Sequence, residues 1–241
     1  VLLNRWPRRF CAFLVEIVQG EGGFVHAPAE FYRVLMAEAR DARLAVWVDE
    51  IQTFGRTGEL FAYQKLGLDD WVDLVTAAKM LQLGLVLMSE EYKPKPGLVA
   101  GTFAGGGPQL KAARKTLELL DEKGLLGENG RIVALSKRFV GKLAAHSKKY
   151  PEQVSTIRAL GGMIAFKALD GSLDSTRAVL LKAFELGVVA FYCGHGPYYI
   201  RLLPPFGVMT DEETDEATRI LLQAVVAVAA DRKGEKEDST P

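Results

Sequence analysis

Two cysteines, three histidines and three tryptophans are all that 241 residues hold of those types, and each scarcity excludes something. Cys11 and Cys193 make no disulfide framework and fit a reducing, cytoplasmic setting. His26, His146 and His195 have neither metal-ligand nor triad spacing, so no metal centre is expected. Neither sign of charge dominates: 30 basic and 30 acidic residues give a formal net charge of zero. That balance speaks against a nucleic-acid or acidic-membrane partner. No apolar run is as long as a membrane span, and the opening apolar stretch is too short for a secretory signal. The chain starts on Val rather than Met and reads as a fragment, a processed product or an engineered piece.

What is present is ample apolar material, 49% of residues, arranged in short runs that alternate with helical patterns. Leu44–Asp49 and Val72–Lys79 read as buried parallel strands, each delivering one charged group, Asp49 and Lys79, at its carboxyl end. Phe10–Val18 reads as another buried strand, running into the glycine-rich turn Gln19–Gly23. Pro28–Ala42 has helical spacing at Phe31, Leu35, Met36 and Ala39. Strand, helix, strand in this order is a crossover unit, so the sheet is expected to be parallel and the fold α/β. Leu60–Leu66 reads as a short helix and Lys93–Gly107 as loop. Helices follow over Pro108–Lys123 and Gly130–Lys149. A separate small α/β unit comes next: strand from Val154 to Ala168 with a break at Gly161-Gly162, a helix over Ser175–Leu186, and strands at Val188–Tyr192 and Tyr198–Leu203. Thr210 and Glu213 form a capping box that opens a last helix to about Ala230. Asp231–Pro241 is polar and expected to fray.

Ligands bind open α/β sheets at the carboxyl ends of the strands. An acid and a lysine delivered there suit pyridoxal phosphate chemistry, the lysine forming a Schiff base and the carboxylate keeping the pyridine nitrogen protonated. Val48-Asp49-Glu50 also matches the magnesium-binding strand of a nucleotide hydrolase, but the glycine loop ending in Gly-Lys-Ser/Thr that this reading needs is absent.

Six stretches in order carry a resemblance: Val15–Gly23, Asp49–Gly58, Asp73–Lys79, Gly101-Thr102-Phe103, Arg158–Met163 and Ile200–Pro205. Together they resemble the class III (subgroup II) pyridoxal-phosphate aminotransferases of fold type I, a family that includes acetylornithine, ornithine, 4-aminobutyrate and lysine ω-aminotransferases. The resemblance implies the C-terminal part of the large cofactor domain over 1–123 and a small α/β domain over 124–230, followed by the polar 231–241, expected to be a disordered tail. It also implies a preceding segment, with the phosphate loop and a stacking aromatic, that these residues lack. It implies pyridoxal 5'-phosphate as cofactor, ping-pong transfer of an amino group from an amino acid or ω-amine to a keto acid such as 2-oxoglutarate, and a homodimer with a shared active site.

The same resemblance assigns roles. Lys79 is the Schiff-base lysine and proton shuttle, and Asp49 the partner of the ring nitrogen. Ile51 packs on the ring face, and Gln52 bonds the phenolic oxygen. Thr102 binds the phosphate of the neighbouring subunit's cofactor. Arg201 holds the substrate carboxylate, and Glu21 neutralises Arg201 when the donor has no carboxylate there. Glu16 lines the site, although Ile17 follows it where the family usually has proline. Arg158 is a family landmark with no assigned chemistry.

Two departures mark a divergent subfamily. Lys79-Met80-Leu81-Gln82-Leu83-Gly84-Leu85 puts bulky residues where the family has glycines, so the loop is expected to take another path or the pocket to be tighter. Gly105-Gly106-Gly107-Pro108 lacks the family's asparagine. A truncated, inactive interaction or dimerisation module is the alternative reading.

Overall fold

The computed structural model describes residues 2–6, 8–98, 101, 102 and 104–238; of the expectations above, Phe103 and the tail residues 239–241 lie outside them. The chain divides into two units, one comprising Val1–Val18 and His26–Leu126, the other Gln19–Val25 and Gly127–Pro241.

The first unit runs α1 (Leu2–Arg5), β1 (Ala12–Val15), α2 (Ala29–Asp41), β2 (Ala45–Asp49), α3 (Ala62–Lys65), β3 (Leu74–Ala77), β4 (Leu85–Met88) and α4 (Gly107–Glu122). The sheet order is β1-β2-β3-β4, with β1, β2 and β3 parallel and β4 antiparallel to β3. The apolar run that ends at Asp49 becomes the central strand β2, where Val46 and Val48 are fully buried. Burying each is worth about 1.5–3 kcal/mol. Asp73 locks β2 to β3 by a reciprocal pair: its N–H donates to the Val46 carbonyl at 2.9 Å and its carboxylate accepts the Val46 N–H at 2.8 Å.

Two expectations need correction here, and one element is added. The first strand is not fully buried: among the described strands β1 stands at the end of the sheet order, with Leu14 59% exposed. The core face of α2 is Tyr32, Met36 and Ala39, while Phe31 is 53% exposed. Tyr32 can be buried because its hydroxyl is fully used, donating to the Ile17 carbonyl at 2.7 Å and accepting the Ala27 N–H at 3.1 Å. Strand β4 adds to the expected elements. Its four apolar residues form an edge, with Val86, Leu87 and Met88 exposed, so it carries no alternating pattern to announce it.

The second unit contains α5 (Arg131–Lys149), β5 (Val154–Leu160), β6 (Met163–Ala168), α6 (Leu173–Glu185), β7 (Phe191–Cys193), β8 (Tyr199–Leu202) and α7 (Asp211–Asp238). Its sheet is antiparallel throughout, in the order β5-β6-β8-β7. The glycine break is a two-residue hairpin: Leu160 pairs with Met163, and Gly161 takes φ +55°. The capping box is present, the Glu213 carboxylate accepting the Thr210 N–H at 2.8 Å and the Thr210 hydroxyl accepting the Glu213 N–H at 3.1 Å. Helix α7 continues to Asp238, past the Ala230 where its apolar pattern stops. Most of Asp231–Asp238 is charged and compatible with a solvated helix, so loss of the apolar stripe does not end it. The segment Gln19–Val25 clusters with this unit although it lies between β1 and α2 in sequence. It is closed on itself by Gln19 and Val25, whose backbones form an antiparallel bridge.

Candidate active site

Asp49 is the last residue of β2 and pairs in register with Thr76 of β3. Lys79 follows two residues after β3 ends. Both groups therefore leave adjacent parallel strands at the carboxyl edge of the sheet, as their positions at the ends of the two apolar runs require. Asp49 is half-buried, and one of its oxygens accepts the Ile51 N–H at 2.8 Å. This local turn carries the chain away from the strand and sets Ile51 and Gln52 just beyond it. Lys79 is exposed, and its amine makes no hydrogen bond or ion pair among the described residues.

The residues after Lys79 settle how bulky side chains replace glycines. Lys79–Leu81 form one 3-10 turn, with Lys79 at φ +49° and Gln82 at φ +57°. Left-handed backbone disfavours any side chain, so the loop keeps a glycine-like path without glycine. The Gln82 N–H and side-chain amide both donate to the Lys79 carbonyl at 3.0 Å. Met80 is accommodated from the opposite side: a methyl group on Gly55 would lie 2.6 Å from the Met80 sulfur, and Gly55 itself has φ +66°.

Glu50, which the sequence reading left without a role, proves to organise this edge. Successive strand residues point to opposite faces, so Glu50 turns inward from Asp49 and is fully buried. Its carboxylate accepts the Tyr63 N–H at 3.0 Å and the Thr53 hydroxyl. Its own N–H donates to the Thr76 carbonyl at 2.8 Å, and its carbonyl accepts from Phe54 N–H at 2.9 Å. Glu50 thus ties the loop after β2 to the end of β3 and to the start of α3. Burial pushes its carboxyl above the usual range, and hydrogen bonds from Thr53, Ala62 and Tyr63 partly offset this. The Tyr63 phenol is in turn pushed up to about 12 by burial and the Glu50 and Asp69 charges. The sequence shows only that an acid directly follows the strand-end acid, which does not reveal its partner Tyr63.

Gln52 is 8% exposed, and its side-chain oxygen is buried without a partner among the described residues, as is the Thr57 hydroxyl. The Gln52 carbonyl accepts from Arg56 at 2.7 Å, which holds the loop in shape. Thr102 is exposed in a turn closed by the Ala104 N–H donating to the Gly101 carbonyl at 3.0 Å, and no described hydrogen bond joins it to Asp49, Gln52 or Lys79. Glu16 is exposed just past the end of β1.

The second unit holds the other two candidates together. Arg201, on β8, makes an ion pair with Glu21, whose side chain is 70% exposed against 17% for the arginine. The same guanidinium reaches the Gly20 carbonyl at 3.4 Å, and the Glu21 carbonyl accepts the Gly194 N–H at 2.8 Å.

The sequence profile of class-III aminotransferases matches residues 1–225. The chain belongs to the class-III aminotransferase family. Among curated relatives, the 5-aminovalerate aminotransferase of Pseudomonas putida is 33% identical over 92% of this chain and 54% of its own length. The 4-aminobutyrate aminotransferase of Escherichia coli is 30% identical over 90% of this chain and 52% of its own. A solved lysine aminotransferase from M. tuberculosis superposes with a TM-score of 0.85 at 25% identity, covering 94% of this chain and 52% of that one. The chain spans about half the length of the curated relatives it matches. Its fold is accordingly α/β, in part that of a fold type I enzyme.

The class-III aminotransferases are pyridoxal-phosphate enzymes, and the residues present fit that group. Among the described residues, a lysine amine without a partner, a strand-end carboxylate and an unsatisfied buried Gln52 oxygen leave hydrogen-bonding and nucleophilic capacity at one sheet edge. Among the described residues no cluster of three or more His, Cys, Asp or Glu could hold a metal ion. No described helix is long and apolar enough to cross a membrane.

Proposed function

We propose that this chain carries the lysine-bearing part of a pyridoxal 5'-phosphate-dependent transaminase, residues 1–123 belonging to the large cofactor domain and 124–230 to the small one. The observation that carries this reading is the delivery of Asp49 and Lys79 from adjacent parallel strands to one sheet edge, with the Lys79 amine unpartnered among the described residues. Bound there, the cofactor supplies the aldehyde that receives the amino group and the ring that withdraws electrons from the donor carbon. Lys79 would hold it and would move a proton at the donor carbon. Asp49 keeps the ring nitrogen protonated through its charge. Ile51 covers a ring face, and Gln52 meets the phenolic oxygen. Arg201 grips a substrate carboxylate with its planar fork, and Glu21 takes its place when the donor has none. Glu16 lines the substrate side. The transfer is ping-pong, from an amino acid or ω-amine to a keto acid, 2-oxoglutarate being the acceptor that suits Arg201.

Thr102 is assigned to the phosphate of a neighbouring subunit, which makes the assembly a homodimer with shared active sites; sedimentation with and without cofactor tests it. Two free cysteines, Cys11 and Cys193, suit the cytoplasm.

The test is absorbance after adding pyridoxal phosphate, then borohydride reduction and peptide mapping. A reduced adduct on Lys79 supports the reading, and an adduct only on other lysines overturns it. The second reading, a non-catalytic interaction module, draws on the exposed apolar side chains Leu14, Val86 and Leu87; a folded chain that yields no adduct favours it.

A further inference from the structure

Arg158 is the one member of the six matching stretches that strikes the eye as chemical yet has no role in the reading above. Its placement depends on an irregularity in β5. The pairing begins as Val154↔Ala168 and Ser155↔Lys167, a register that would set Ile157 opposite Ala165. Instead Arg158 pairs with Ala165, because one extra residue is inserted between Ser155 and Arg158, where Thr156 takes φ +48°. A bulge of this kind exchanges the faces of the residues that follow it. Ala165 also pairs with Arg201. Arg158, Ala165 and Arg201 therefore stand in one row across three strands, with side chains on the same face and the two arginines about 10 Å apart across the small alanine. Tyr199, two residues before Arg201, shares that face.

On this face sits the closed segment Gln19–Val25. The Arg158 guanidinium donates to the Gly23 carbonyl at 2.7 Å and to the Tyr199 hydroxyl at 3.2 Å, and lies 4.4 Å from the centre of the Tyr199 ring. The segment is built to admit it. Gly23 has φ +107°, and a methyl group there would come within 3.1 Å of Arg158 and 3.3 Å of the Tyr199 ring. Phe24, fully buried, is left-handed at φ +52°, a conformation that a bulky residue holds only where its surroundings impose it. A methyl group on Gly194, which donates to the Glu21 carbonyl, would meet the Pro197 carbonyl oxygen at 2.6 Å.

We propose that Arg158 is a positioning residue, which seats the Gln19–Val25 turn on the sheet so that Glu21 meets Arg201. The functional consequence rests on the reading of Glu21 and Arg201 as the substrate pair. While Arg158 holds the backbone at Gly23, only the exposed Glu21 side chain has to swing when a carboxylate takes its place on Arg201. Without Arg158 the whole turn leaves, and Arg201 stands open whichever substrate is bound. Arg158 thereby sets how strongly the site discriminates between partners with and without a carboxylate at that end.

The test uses the 241-residue chain and two readouts. Amide hydrogen exchange follows Phe24 and Gly194, whose N–H groups bond the Gln19 and Glu21 carbonyls, with Ile164–Phe166 of β6 as reference. Glutarate binding, measured by calorimetry, probes Arg201 once it is freed from Glu21. In Arg158→Met, Phe24 and Gly194 are expected to exchange about tenfold faster or more with the β6 amides unchanged, as loss of a hydrogen bond from a charged donor requires. Glutarate affinity is expected to rise to that of Glu21→Gln, with no further gain in the double variant, and Arg158→Lys is expected to recover part of the wild-type behaviour. A merely structural residue would lower glutarate binding or change the reference amides. Unchanged exchange at Phe24 and Gly194 overturns the proposal, as does glutarate binding that responds to Glu21→Gln but not to Arg158→Met. If neither Glu21→Gln nor Arg201→Met alters glutarate binding, the substrate-pair reading falls, while the exchange result alone still decides whether Arg158 seats the turn. If Arg158→Met unfolds the unit, Arg158→Lys and Gly23→Ala carry the same comparison.

Discussion

Lys79 is exposed and has no partner among the described residues, whereas Arg201 is mostly buried with its guanidinium already engaged by Glu21 and the Gly20 carbonyl. Among the described residues the first unit holds its chemistry in reserve: an unpartnered amine, a buried Gln52 oxygen without a donor, and an Asp49 carboxylate with one oxygen tied down. The second unit holds its substrate pair in balance, the Arg201 charge already answered by that of Glu21. A ligand of the first unit fills capacity that is otherwise wasted. A ligand of Arg201 must displace a carboxylate already in place and gains only the difference between the two pairings.

The largest expected effect is at Lys79. Lys79→Ala should abolish the borohydride-fixed adduct altogether, read by mass spectrometry of the digested protein. An undiminished yield on a different lysine would break the comparison at its root. Asp49→Ala comes next. Loss of the carboxylate removes an opposite charge whose effect on a buried partner is on the order of one to three pKa units. Pyridoxal phosphate should therefore bind about tenfold more weakly or worse, measured by absorbance titration; unchanged affinity would mean that Asp49 does not face the cofactor.

A smaller and purely structural effect sharpens the contrast. Glu50→Ala leaves the Thr53 hydroxyl and the Tyr63 N–H without their acceptor in a buried place. A loss of about 1–3 kcal/mol follows from unsatisfied buried donors, seen in urea unfolding of the chain. A neutral result would show that water replaces the carboxylate and that Glu50 does not hold the loop that bears Ile51 and Gln52.

Much of this was legible in the sequence because strand length and apolar content announce where a buried strand must stop. Asp49 ends β2 and Lys79 follows β3 because a run of four or five apolar residues spans the sheet and the next charge has to emerge at its edge. The capping box at Thr210 and Glu213 was legible for the same local reason, since both partners lie within one turn. Glu50 was not, because its meaning depends on Tyr63, thirteen residues on in a different element. The bulge at Thr156 was not either. Nothing about a threonine between Ser155 and Ile157 marks a left-handed residue, and only the register against β6 reveals it. Strand β4 escaped because an edge strand has no buried face to impose a pattern. The bulky residues after Lys79 mark a conflict in the sequence, but the way the chain meets it, with two left-handed residues and a glycine at position 55, depends on the opposing surface.

The smallest expected effect concerns how the two units answer acid, and it follows from the same contrast. Burial raises Glu50, so the folded first unit binds that proton more tightly than the unfolded chain does. Its contribution to stability is greatest below the ordinary glutamate value near 4.5 and is lost as pH rises through the raised folded value. Asp170 in the second unit behaves in the opposite sense. The Ser175 hydroxyl first, then the Ser172 N–H and hydroxyl and the Arg232 charge, hold its carboxyl down at about 2. That contribution is fully present above the ordinary aspartate value of 3.8 and is lost as pH falls toward about 2. Because Asp170 is largely exposed, solvent screening keeps the effect small. Between about pH 4 and pH 2 the Ser172 cap of α6 should therefore loosen while the Glu50 loop does not. Amide exchange at Ser175, which donates to the Ser172 hydroxyl at 3.2 Å, should speed up in that window and become independent of pH-driven opening in Asp170→Asn. Exchange at Tyr63 should slow or stay level over the same range. Parallel acceleration at both amides would mean that acid opens the two units together and that Glu50 and Asp170 do not govern their own surroundings.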